Sequence, residues 1–126
     1  MNWEKIKSYP GFCCLERASE HEIVLMEEGL SLKFSNEFRE MLTLFGVVSV
    51  NNHEIVGFSK SKRLDVVAVT KEKRLFAIVP EDFYVVEDLY IDDVVIWQNA
   101  KGTVFQTVGG SLPSIIAGSL IEYLGM

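Results

Sequence analysis

Cysteine, histidine and proline are scarce in this chain of 126 residues, which holds two, two and three of them. The cysteines, Cys13 and Cys14, are sequence neighbours. A bridge between them is strained and no others exist to pair with them, which excludes a disulfide framework and fits a reducing cytoplasm. Two adjacent cysteines and distant histidines do not supply the ligand spacing of a zinc site. His21 and His53 are the only imidazoles, so nucleophilic catalysis has one thiol candidate, Cys13 or Cys14 with His21, and only Arg17 nearby to lower a thiol pKa. The alternative is that one cysteine is buried as a small hydrophobe and the other is inert. No stretch approaches the length of a bilayer span. Residues 1 to 9 carry Glu4, Lys5 and Lys7 and no continuous apolar run, so no signal peptide is expected there. No repeat, linker or low-complexity segment divides the chain, and one domain over residues 1–126, long enough to bury a core, is the expectation.

Basic residues are missing where acidic ones crowd together. Residues 1 to 80 contain eleven basic and eleven acidic side chains, and residues 94 to 126 contain one of each, Lys101 and Glu122. The whole formal charge of −6 therefore comes from Glu81, Asp82, Glu87, Asp88, Asp92 and Asp93, without one intervening Lys or Arg. Such a field repels nucleic acid and attracts basic proteins. The alternating oxygen ligands and central glycine of a calcium loop are missing from the run, so no metal is expected. Gly109-Gly110-Ser111 lacks the lysine of a phosphate-binding loop and reads as an ordinary turn. No cofactor is expected either.

What is abundant is apolar periodicity. Phe34, Phe38, Met41, Leu42 and Phe45 share one helical face, leaving Asn36, Glu37, Arg39 and Glu40 on the other. Gly46 ends that helix, and Val47 to Val50 starts a strand. Upstream, Trp3 and Ile6 are the inward residues of a short helical arm over Asn2 to Ser8, and Phe12 to Arg17 is a packed connector. Ser19 and Glu22 form a capping box for a helix that buries Ile23, Met26 and Leu30 and turns Glu20, Glu27 and Glu28 outward. Asn51-Asn52 suits a tight turn between Val47–Val50 and Glu54–Phe58. Leu75 to Val79 and Phe83 to Val86 read as strands, and Val94–Trp97 and Thr103–Val108 as a hairpin through Asn99 to Gly102. Pro113 suits the first turn of a closing helix carrying Ile116, Ser119, Leu120, Tyr123 and Leu124 on one face, with Gly118 inside it marking a close approach. Together these elements predict an α+β domain: a mainly antiparallel sheet of about five to six strands with helices packed on it.

Glu27, then the run from Leu30 to Leu42, then Phe45-Gly46 and Glu54-Ile55-Val56-Gly57, resembles the SUKH superfamily, whose members include bacterial immunity proteins and fungal cell-wall-synthesis regulators. Gly102 to Phe105 and the tail Ile116 to Leu124 are similar to the family's last hairpin and closing helix. Ser35 stands where the family's proline is expected, and its hydroxyl can cap the helix instead. Leu64 to Arg74 is rich in Val, which favours a strand, whereas the resemblance implies a short helix there.

The resemblance implies a non-enzymatic immunity protein that neutralises a cognate, nuclease-type toxin in the cytoplasm. A regulatory scaffold like the fungal proteins is the alternative. A nuclease is basic where it holds nucleic acid, so the acidic run supplies the candidate partner-binding residues: Glu81, Asp82, Glu87, Asp88, Asp92 and Asp93, with the aromatics Tyr84, Tyr90 and Trp97. The competing reading, a solvated strand edge that resists aggregation, stays open. No nucleic-acid or membrane partner is expected.

Overall fold

A computed structural model describes residues 3–126 of the chain. Its elements, in order, are α1 (Trp3–Ile6), β1 (Cys13–Cys14), α2 (Glu20–Leu30), α3 (Asn36–Leu44), β2 (Val48–Val50), β3 (His53–Ile55), a 3-10 turn (Lys62–Leu64), α4 (Val66–Lys73), β4 (Tyr84–Asp88), β5 (Val94–Gln98), β6 (Val104–Val108), β7 (Ser114–Ala117) and α5 (Leu120–Leu124). The fold is α+β. Instead of one sheet there are two antiparallel ones among the described residues, a three-stranded sheet β1-β2-β3 and a four-stranded sheet β4-β5-β6-β7.

Local chemistry sets the helix ends. Ser19 and Glu22 form the reciprocal capping box of α2, and the Ser35 hydroxyl accepts the Phe38 N–H at the start of α3. The apolar face of α3 is fully buried at Phe38, Met41 and Leu42. Gly46 follows with φ of 73°, and Asn51 and Asn52, at 51° and 66°, reverse the chain between β2 and β3. Gly57 must be glycine because a Cβ there would overlap the Gly46 carbonyl oxygen. The Phe58 N–H donates to that same oxygen at 3.1 Å.

The β4 edge is covered on one side. Val85 N–H donates to the Thr70 hydroxyl of α4 at 2.9 Å, and Val56 N–H donates to the Val86 carbonyl at 2.9 Å, joining the two sheets. Val86 is the extra residue where the β4-β5 register shifts.

Several expectations need correction. The N-terminal arm buries Trp3 and Ile6 as predicted but is helical only over Trp3–Ile6, and Asn2 lies outside the described residues. The connector after it contains β1, and both cysteines are exposed rather than one buried, because β1 is the outer strand of its sheet. Leu64 to Arg74 is helical, as the family resemblance implied. Leu75 to Val79 is not a strand; turn bonds from Leu75 to Glu72 and from Phe76 to Lys73 extend the end of α4, and Leu75, Phe76 and Ile78 are exposed. The closing helix shrinks to α5, since Ser114, Ile115 and Ala117 pair as β7 along the free edge of β6, with Ile116 the extra residue where the register shifts. Gly118 therefore lies before α5, with its N–H held by Glu122 at 3.0 Å.

Candidate protein-interaction surface

The nine residues predicted to face a partner separate into three environments. Tyr84, Glu87 and Trp97 are buried. The Tyr84 ring lies edge-on to Phe34 at 4.8 Å, its hydroxyl accepts the Ser35 N–H at 3.0 Å and donates to Gln98 Oε1 at 2.8 Å, and burial pushes its pKa well above the usual phenol range. Trp97 Nε1 donates to the Thr107 hydroxyl at 2.9 Å. These two aromatics are core residues and are withdrawn from the predicted surface, because their polar atoms are used inside the fold.

Glu87 is also internal. Its Oε1 accepts the Tyr123 hydroxyl at 2.5 Å and faces His53 Nδ1 at 3.0 Å, while Oε2 accepts the Glu54 N–H at 2.6 Å. The His53 pKa rises, first through this bond to Glu87, against the opposing effect of burial; a further bond to the Met126 backbone adds to the rise. The Tyr123 hydroxyl moves up as well, chiefly through burial. Glu87 thus ties β4, the β2–β3 hairpin and α5 together, and His53, next to the Asn51-Asn52 turn, belongs to that structural cluster.

The remaining acids stand at opposite ends of β4. Glu81 and Asp82 are exposed before it, Asp88 is its last residue, and Asp92 and Asp93 follow in the turn to β5. The six carboxylates therefore do not form one patch. Asp88 is paired with Lys73 at 3.0 Å. Asp92 and Asp93 are exposed and in no ion pair among the described residues.

Around that turn lies a cleft of about 500 Å³. Val95 and Thr107, cross-strand neighbours, contribute to one wall; Lys73, Phe76 and Ala77 come from α4 and the segment after it, Asp88 from the end of β4, and Tyr90 to Asp93 from the turn. Phe76 is 72% exposed, Tyr90 64% and Ile91 61%. Tyr90, Asp92 and Asp93 have φ of 56°, 52° and 55°, a conformation unfavourable for a tyrosine. Bonds from Leu89 N–H to the Val94 carbonyl at 3.2 Å and from Gly109 N–H to the Asp93 carbonyl at 3.1 Å hold the turn. Of the predicted residues, Asp88, Tyr90, Asp92 and Asp93 are brought together here. Phe76 and Ile91 were missed: Phe76 read as part of a strand, and Ile91 carried no signal beyond its place between Tyr90 and Asp92.

A SUKH family model, described as SMI1-KNR4 cell-wall, matches residues 4–125. The chain belongs to the SUKH family. No curated protein matches this SUKH chain. Among the described residues, no helix is long and apolar enough to cross a membrane, and no group of three His, Cys, Asp or Glu side chains is placed to hold a metal ion.

Proposed function

We propose that this SUKH chain is a non-enzymatic immunity protein that binds a cognate toxin of nuclease type in the cytoplasm and neutralises it by contact. Family membership supports a binding domain of the immunity-like or SMI1/KNR4-like kind. The observation that carries the reading is the exposure of Phe76, Tyr90 and Ile91 beside the unpaired Asp92 and Asp93. Large apolar side chains set among carboxylates suit an interface in which burial gives affinity and charge gives approach rate and register. The block on the toxin is steric and electrostatic, with no bond made or broken.

A regulatory scaffold is the second reading, favoured by the cell-wall description of the matching family. Whether a polymorphic-toxin reading frame adjoins this gene, and co-expression with its product in a sensitive cell, separate the two. Survival only in the presence of this chain supports immunity. Equal killing with and without it rules immunity out.

A further inference from the structure

Three large apolar side chains, Phe76, Tyr90 and Ile91, stand in water around one cleft, whereas Val95 and Thr107 in its wall are buried. Scattered exposed hydrophobes need no explanation, but several lining one cavity mark a contact surface. The charges there are uneven. Lys73 is matched by Asp88 at 3.0 Å, and Arg63, whose guanidinium reaches the Tyr90 hydroxyl, is matched by Glu54. Asp92 and Asp93 remain without a counter-charge among the described residues.

We propose that this cleft receives a lysine or arginine carried on an apolar-flanked, protruding segment of the partner protein. The proposal rests on the contact-neutralisation reading above and names the part of the surface that performs it. A guanidinium or ammonium group entering between the turn and the 75–79 segment meets the two free carboxylates, while Tyr90 and Phe76 offer ring faces to the cation and its aliphatic stem. Apolar neighbours of that residue cover Ile91 and the exposed rings. The hydrogen bonds that hold the turn to β5 and to Gly109 fix the backbone that carries the two carboxylates before the partner arrives, which limits the ordering cost of binding. A second copy of this chain is a poor occupant, because each copy carries a formal charge of −6 and the cleft concentrates part of it.

The test uses as its probe the purified toxin against which this chain protects in the co-expression assay, with association and dissociation followed at about 50 and 300 mM salt. Asp92→Asn with Asp93→Asn keeps the left-handed backbone, which Asn tolerates, and is expected to slow association about tenfold at low salt and to flatten its salt dependence. Phe76→Ser, and separately Ile91→Ser, is expected to speed dissociation about tenfold. Glu81→Gln with Asp82→Asn, at the other end of β4, is expected to leave both rates within about twofold. Denaturation midpoints of all variants are measured alongside, and a variant that loses its fold is replaced in the comparison by the other serine variant. If the wild type binds and protects while the cleft variants match it within about twofold, the cleft assignment is overturned and immunity stands. If the wild type does not bind the toxin, the immunity reading fails and takes this assignment with it.

Discussion

Glu37 Oε1 accepts the backbone N–H of Leu120 at 2.6 Å, across 83 residues of sequence. Its other oxygen accepts the Ile121 N–H at 3.1 Å, and Gln98 Nε2 donates to Oε1 at 2.9 Å. The carboxylate therefore sits in the first turn of α3 while capping the start of α5, where both helix ends favour a negative charge. Glu37→Ala is expected to cost about 2–4 kcal/mol, since the Leu120 and Ile121 N–H groups lose their acceptor and Gln98 Nε2 keeps only the Gly102 carbonyl. Glu37→Gln is expected to recover little, because its amide turns a donor toward donors. Urea denaturation at neutral pH measures both, and a midpoint unchanged by either would remove Glu37 as the link between the two helices.

Gly57→Ala is expected to destabilise by roughly 3 kcal/mol or more. The added methyl overlaps the Gly46 carbonyl, a backbone atom already used by Phe58, so no side-chain rotation can relieve the clash. Gly110→Ala, where a Cβ meets nothing, is the matched control. Equal thermal midpoints for the two variants would show that the β3 end can move away from Gly46.

His53 makes stability depend on pH. Its folded pKa lies above the ordinary value of 6.5, first because of the bond to Glu87. Protonation is thus favoured by folding, so this contribution is fully present below about pH 6.5 and is lost as pH rises through the higher folded pKa. Tyr123 stays protonated in this window because burial moves it upward. The urea midpoint of the wild type is expected to fall from pH 6 to pH 8.5 more steeply than that of His53→Gln. Parallel slopes would mean that the imidazole titrates alike in the folded and unfolded chain.

Cys13→Ala with Cys14→Ala is expected to leave toxin neutralisation unchanged, because both thiols are exposed on β1, away from the residues of the cleft. Survival in the co-expression assay reads this directly. Loss of protection, in a variant with an unchanged denaturation midpoint, would reopen a thiol-dependent activity.

Where a structural instruction is local, it was legible. Ser19, Ser35, Gly46 and Asn51-Asn52 act through bonds and dihedral preferences within a few residues of themselves, and each occupies the cap or turn its type suits. Ser35 also shows how the chain departs from the family's proline: its hydroxyl caps α3 while its N–H, which proline lacks, donates to Tyr84. The candidate site was half legible. Asp88, Tyr90, Asp92 and Asp93 were read as surface groups and line the cleft, whereas Phe76 was hidden inside a segment whose alternation suggests a strand.

The sequence alone determined the caps of α2 and α3, the Asn51-Asn52 reversal, the α+β class and the position of the unbalanced charge, because these follow from neighbouring residues and from composition. Only the tertiary structure decided that Glu27, Glu37 and Glu87 turn inward, that 75–79 has no strand to pair with, and that the acids divide between two ends of β4. A carboxylate is solvent-facing unless folding brings it N–H or O–H donors, and a strand exists only beside another strand. Both conditions are set by residues tens of positions away.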